Sequence, residues 1–314
     1  MKEILITGGA GFVGSHLAHK LVELGYYVKI FDNLYRGKYA YIKDLVETGK
    51  ATFIEGDIRN YPVIASAIQG SDYVFHEAAV CINYSLAYPE DSILTNVNGS
   101  YNVFKASKEA NIKRLIFASS ASVYGEPDKL PMSETASLKP ISPYCVSKIA
   151  GEYYLKIFEK YFDYNILRYF NIYGLKQSVD AYYTSVLMNW IRNINNRDPP
   201  IIHGSGLQSM DFVNVHDITQ ANILAMHSTV HNEIFNVGSG LETNLNQLAE
   251  IILGLYNTDL KPIHQEKIES MVSKRRADIT KISKLLGFKP KISLEDGIKE
   301  IVYNTLPNTT EGEV

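Results

Sequence analysis

Hydrophobic and polar positions alternate in blocks along the first half of the chain. Six short runs, Glu3–Thr7, Tyr27–Asp32, Thr52–Glu55, Tyr73–His76, Arg114–Ala118 and Asn165–Tyr169, are apolar at nearly every position. Strands of a parallel sheet read this way, because crossover helices bury both of their faces. Between the runs, helical patterns are predicted near 12–25, 60–69, 92–110 and 144–162. Repeated strand–helix alternation predicts an α/β fold with a Rossmann-type, doubly wound parallel sheet. After about Gly174 the pattern becomes irregular, with a break at Pro199-Pro200. A sheet domain is therefore expected over 1–174 and a smaller substrate-binding lobe over 175–306, some of whose segments return to the sheet. The polar stretch 307–314 is expected to be a frayed tail.

Composition narrows the class. The 314 residues carry 31 Lys+Arg against 34 Asp+Glu, a formal net charge of −3, with 46% hydrophobic and 21% charged residues. This is an ordinary globular balance without long basic runs, so neither nucleic acid nor an anionic membrane is an expected partner. No stretch approaches the roughly 18 apolar residues of a membrane span. The first apolar run, Ile4-Leu5-Ile6, meets glycines at once and does not read as a signal peptide. Two cysteines, Cys81 and Cys145, suit a reducing cytoplasm and no disulfide framework. His16 with His19, and His227 with His231, lack accompanying carboxylates or thiols, so no metal is expected.

Chemistry enters at the first strand–helix turn. Thr7-Gly8-Gly9-Ala10-Gly11-Phe12-Val13-Gly14 places glycines where a chain must turn tightly, approach a pyrophosphate and pack a helix on a strand. Phosphates then meet the free N–H groups and positive end of that helix. Asp32 ends the second strand 18 residues after Gly14, placed to hydrogen-bond the ribose hydroxyls of a dinucleotide and to repel a 2′-phosphate. NAD is thus favoured over NADP, with Arg36 and Lys38 as the opposing signs. Asp57-Ile58 follows the third strand, where it can flank the adenine. Farther along, Tyr144 and Lys148 stand four residues apart on one helix face. An ammonium and an oxidised nicotinamide nearby would lower the phenol pKa from about 10 and make Tyr144 a usable base. Ser120 is placed to share the same substrate oxygen.

Taken in order, these segments resemble the extended short-chain dehydrogenases/reductases, and among them the nucleotide-sugar epimerases typified by UDP-glucose 4-epimerase. The likeness runs to about residue 304. It joins the Thr7–Gly14 turn, Phe31-Asp32-Asn33-Leu34, Asp57-Ile58, His76-Glu77-Ala78-Ala79, Asn96–Gly99, Ser119–Gly125, Ser142–Lys148 and Arg168–Gly174. The resemblance implies cofactor contacts from Gly8, Gly11, Phe12, Val13, Gly14, Asp32, Asn33, Asp57, Ile58, Ala78, Ala79, Asn96, Tyr144 and Lys148. It implies catalysis by Ser120, Tyr144 and Lys148, and substrate contacts from Ser120, Ser122, Tyr144 and Asn171. Dehydratases of this superfamily add an acidic pair after the catalytic hydroxyl. Here Ala121 and Ser122 occupy those places, which sets elimination and decarboxylation aside. The implied activity is NAD-dependent epimerisation of a nucleotide sugar, of the UDP-glucose/UDP-galactose 4-epimerase type, through a 4-keto intermediate. The alternatives are another extended short-chain oxidoreductase acting on a different nucleotide sugar or carbonyl compound, and a non-catalytic NAD-binding regulator. Apolar residues spread over about 240° of the 144–162 helix, which together with the family habit leads us to expect a homodimer.

Two departures bear on the substrate. Met210 stands where the family places an arginine that grips the diphosphate, and Ile268 where it places a second. Lys274, Arg275 or Arg276 are the nearby cations that could replace them.

Overall fold

In the computed structural model, which describes residues 2–178, 185–266 and 273–305, the predicted strands join one parallel sheet. They are β1 (Glu3–Thr7), β2 (Tyr27–Asp32), β3 (Ala51–Glu55), β4 (Tyr73–His76), β5 (Arg114–Ser120) and β6 (Asp163–Tyr169). Their spatial order is 3-2-1-4-5-6, with Glu233–Val237 added in parallel outside β6. The order reverses between β1 and β4, and at such a switch point the crossover helices leave on opposite faces and open a crevice.

Seven helices intervene: α1 (Phe12–Glu23), α2 (Lys43–Glu47), α3 (Tyr61–Ile68), α4 (Ile82–Ala87), α5 (Pro89–Asp91), α6 (Ser100–Glu109) and α7 (Pro143–Ile157). One face of the sheet buries Ile4, Ile6, Ile30 and Ile116 with Leu17 and Leu21 of α1 and Ile218 and Ala221 of helix Val215–His227. The other buries Leu5, Val74, Leu115 and Phe117 with Ile64 of α3, Val103 and Phe104 of α6 and Leu155 of α7. Fully burying one such side chain contributes about 1.5–3 kcal/mol, which explains why the strands tolerate almost no polar position.

The expected helix 92–110 is two elements. Ser92–Gly99 winds as a π-helix before α6 begins. Within it the buried Asn96 spends its whole amide on protein groups, accepting from Val80 N (2.9 Å) and donating to Val80 O (3.1 Å) and Ser147 Oγ (3.0 Å). Asn96 thereby ties the segment after β4 to α7.

Beyond Gly174 a separate core gathers Trp190, Ile191, Leu248, Ile252, Ile298 and Ile301. They come from helices Val186–Asn195, Leu245–Tyr256 and Leu294–Thr305. Helix Val215–His227 and strand Glu233–Val237 nevertheless belong to the main sheet, so the second half of the chain serves both bodies. The stretch 307–314 and Ile268 lie outside the described residues.

Candidate active site

The C-terminal ends of the six strands open on one cleft of about 390 Å³. At its middle lies the glycine turn. Gly8 has φ +69°, and a Cβ there would stand 2.8 Å from Ala78 N; a Cβ on Gly14 would stand 2.2 Å from Gly8 O. A side chain at Gly8 would collide with the backbone after β4, and one at Gly14 would push α1 away from the end of β1. Gly11 caps α1 without any side-chain hydrogen bond, leaving the first-turn N–H groups for an anion.

Toward β2 the cleft is lined by Asp32, Asn33, Asp57 and Ile58. The buried Asp32 accepts from Ala10 N (3.0 Å) and Leu34 N (2.9 Å). Burial raises its pKa, opposed by these bonds and by Arg36. Burial also works against ionisation of Asp57, but Arg59 and Asn33 outweigh it and bring that pKa below the usual value. Arg59 grips the Asp57 carboxylate through Nε (2.9 Å) and Nη2 (2.7 Å), so those oxygens are largely committed within the protein.

At the other end, Ser142 accepts from Cys145 N (3.2 Å) and Pro143 occupies the first helical position of α7. This start puts Tyr144 in the first turn and Lys148 one turn later, both on the cleft wall. Lys148 Nζ donates to Ala118 O (2.7 Å) and lies 5.7 Å from the centre of the Tyr144 ring. Burial pulls the Lys148 pKa down to about 8 against the opposing charges of Glu77 and Glu152. The Tyr144 phenol hydrogen-bonds Ser120, yet its pKa is raised, because burial outweighs that bond. In the protein alone, withdrawing a phenolate from water dominates; the expected lowering also calls on the oxidised nicotinamide.

The structure adds a residue that motif reading passed over. Glu77 follows β4 and lines the cleft. Tyr169 Oη donates to its carboxylate (2.9 Å) and itself accepts from Asn222 Nδ2 (2.7 Å). Burial pushes the Glu77 pKa up to about 7, against the pull of Tyr169 and Lys148. A carboxylate between His76 and Ala78 at a strand end was the available signal. His76 is structural: its ring nitrogens meet Thr7 Oγ1 (2.7 Å) and Ser100 Oγ (2.8 Å), and burial takes its pKa to about 3. Below the site, Arg168 pairs with Glu152 (2.6 Å), both almost wholly buried.

Gly8, Gly11, Phe12, Val13, Gly14, Ala78 and Ala79 all line the cleft, as expected. Asn96 is not at its wall, because its amide is fully used by Val80 and Ser147. Ser122 Oγ is buried without a partner among the described residues. Asn171 Nδ2 donates to Asp211 O (3.2 Å), across the pairing of Asn171–Tyr173 with Phe212–Asn214. The glycine cradle, the open helix start and Asp32 fit a dinucleotide.

Comparison with known proteins agrees. The profile of the NAD dependent epimerase/dehydratase family matches residues 4–238. A Methanocaldococcus jannaschii protein provisionally assigned as a UDP-glucose 4-epimerase is 38% identical over 95% of this chain and 97% of its own. The UDP-N-acetyl-alpha-D-glucosaminuronate decarboxylase of Bacillus cytotoxicus is 34% identical over 96% of this chain and 97% of its own. The crystal structure of Thermotoga maritima UDP-glucose 4-epimerase with UDP-glucose superposes with a TM-score of 0.91 at 35% identity, covering 96% and 97% of the two chains.

Proposed function

Because the chain belongs to the NAD dependent epimerase/dehydratase family, we propose that it inverts C4 of a nucleotide sugar of the UDP-glucose/UDP-galactose type through a 4-keto intermediate. Bound NAD supplies a hydride acceptor that is restored at the end of each turnover. The protein's residues handle the proton. Tyr144, once deprotonated, takes the proton from O4 and later returns it, while Ser120 hydrogen-bonds the phenol. Lys148, anchored on Ala118 O, keeps a positive charge beneath the pair up to about pH 8. The observation that carries this reading is Tyr144 and Lys148 on the wall of the cleft that also holds the glycine turn and Asp32, with Ser120 hydrogen-bonded to the Tyr144 phenol. Ala121 and Ser122 provide no acid or base beside the catalytic hydroxyl, which favours epimerisation over loss of water or CO₂.

The test uses protein as purified, without added cofactor, and a panel of UDP-, GDP-, CDP- and dTDP-sugars that includes uronates. C4 configuration is followed by proton NMR. One member converting to its C4 epimer is the expected result. No conversion by protein shown to hold NAD, or release of CO₂ from a uronate, would overturn it.

We also propose a homodimer through the outer faces of α6 and α7. Tyr101, Val146, Tyr153, Tyr154 and Ile157 are exposed there, on helices whose other faces cover the sheet. Light scattering at micromolar concentration that gives the mass of one chain would refute this.

A further inference from the structure

The cleft changes character along its length. Toward β2 and β3 its wall mixes acids and bases, with Arg36 acting on Asp32 and Arg59 gripping Asp57. At the other end the described lining residues come from the ends of β4, β5 and β6 and from α7, and the charged ones among them are Glu77 and Lys148. Glu77 stands one residue past β4, beside the switch point, with its N–H donating to Thr7 O (3.1 Å) at the end of β1. Its carboxylate is half satisfied. Tyr169 Oη donates to Oε1 (2.9 Å), and Oε2 takes no hydrogen bond from a described residue. Lys148 Nζ, by contrast, is anchored on Ala118 O (2.7 Å).

The groups packed around Glu77 are settled near neutral pH. On β6 burial holds the Tyr169 phenol well above its ordinary pKa, and Asn222 of helix Val215–His227 donates to it (2.7 Å). On β4 His76 is neutral, its ring committed to Thr7 and Ser100. On α7 burial keeps Tyr144 protonated, and Lys148 holds its charge up to about pH 8. Glu152, which acts on Lys148, is paired with the buried Arg168 (2.6 Å). Glu77 differs from all of these. Burial lifts its carboxyl to about 7 against the pull of Tyr169 and Lys148, so its charge changes across neutral pH. A hydride acceptor and the base Tyr144 must serve the same C–O unit of a substrate, so the nicotinamide belongs at this end of the cleft. That ring is cationic when oxidised and neutral when reduced, with the phosphates alike in both forms. Out of bulk water a nearby carboxylate favours the cationic ring, and an ammonium disfavours it.

We propose that Glu77 sets which oxidation state of the dinucleotide the cleft holds, its carboxylate favouring the cationic ring of NAD⁺ over the neutral ring of NADH. This rests on the reading above that the hydride acceptor works beside Tyr144. Linkage makes the effect reciprocal: Glu77 holds its proton more tightly beside NADH than beside NAD⁺. Ionised, it keeps the chain in the oxidised state from which a cycle starts; protonated, it gives up that preference.

Fluorescence titration of the cofactor-free full chain with NAD⁺ and with NADH gives the ratio of the two affinities from about pH 6 to about pH 9. Lys148 titrates in the same range, so Lys148→Met is compared with and without Glu77→Gln, beside the wild type. The preference for NAD⁺ should rise by about fivefold or more across the range in the wild type and in Lys148→Met, and by less than about twofold once Glu77→Gln is added. Equal slopes with and without Glu77, or a preference that falls as pH rises, would overturn the proposal. So would Glu77→Gln lowering both affinities by one factor at every pH, the mark of a residue that only supports the fold. Calorimetry of the same titrations at about pH 7.5, in phosphate and in Tris, counts protons. Lys148→Met should take up more protons with NADH than with NAD⁺, and Glu77→Gln should abolish that difference; equal counts in both proteins would also overturn the proposal. Neither readout uses a sugar or turnover, so this inference and the epimerase reading fail separately.

Discussion

Replacing Glu77 by Gln tests the electrostatics of the cleft floor. Gln keeps the acceptor for Tyr169 Oη (2.9 Å) and removes only the titration. In the folded protein burial pushes the Glu77 pKa from 4.5 up to about 7. Between those values the folded state holds a proton that the unfolded state has released, so the wild type loses stability as pH rises through this window and stays at the lower level above it. The difference between those two values corresponds to at most about 3.4 kcal/mol, and water in the cleft beside a partly exposed residue reduces this to about 2 kcal/mol. Urea unfolding of cofactor-free protein, followed by circular dichroism, therefore should give equal stabilities for wild type and Glu77→Gln near pH 4.5, since both side chains are then uncharged in the fold. Near pH 8 the variant should be the more stable by about 2 kcal/mol. Curves that run parallel across the whole range would show that the carboxylate ionises freely in the fold, and the burial argument would be wrong. A less stable variant at every pH would mean that the contact with Tyr169 depends on the carboxylate itself.

Three further outcomes are expected. Tyr144→Phe should lower turnover by about 10³-fold or more while NAD, measured by fluorescence titration, still binds, because only the proton-transferring oxygen is removed. Asp32→Ala should weaken NAD binding and narrow its preference over NADP; since Asp32 also holds Ala10 N and Leu34 N, stability should fall by about 1–3 kcal/mol as well. Arg168→Met should cost about 3–5 kcal/mol in urea unfolding by leaving Glu152 buried and unpaired, and Arg168→Met with Glu152→Leu should recover much of it.

The sheet was legible because parallel strands must be apolar on both faces, so β1, β2 and β4 read with their observed bounds and the other three to within two residues. The glycine turn was legible for a steric reason: a Cβ at Gly14 cannot coexist with Gly8 O at 2.2 Å. The helical pattern over 144–162 announced α7, and with it the placing of Tyr144 and Lys148, although the helix runs from Pro143 only to Ile157. The second half resisted because, apart from Glu233–Val237, its strands are two or three residues long and pair across distance, Ile201–His203 with Ile263–Gln265 and Ser209–Met210 with Thr243–Asn244. No periodicity survives in so few residues. Ser92–Gly99 read as ordinary helix because a π-turn has the same composition as an α-turn and differs only in its hydrogen-bond step.

The site divides in the same way. Residues whose role is imposed by their own backbone, such as Gly8, Asp32 at a strand end and Tyr144 at a helix start, could be placed from spacing. Residues whose role depends on neighbours far along the chain could not. Glu77 matters because Tyr169 and Lys148 converge on it, and Asn96 turns inward because Val80 and Ser147 use its amide. Met210 and the segment 274–276 are the extreme case. Sequence showed a missing cation at one and several candidates 64 to 66 residues later. The pairing of Ser209 with Lys274 brings that segment beside the Met210 strand, a contact that no motif spacing encodes.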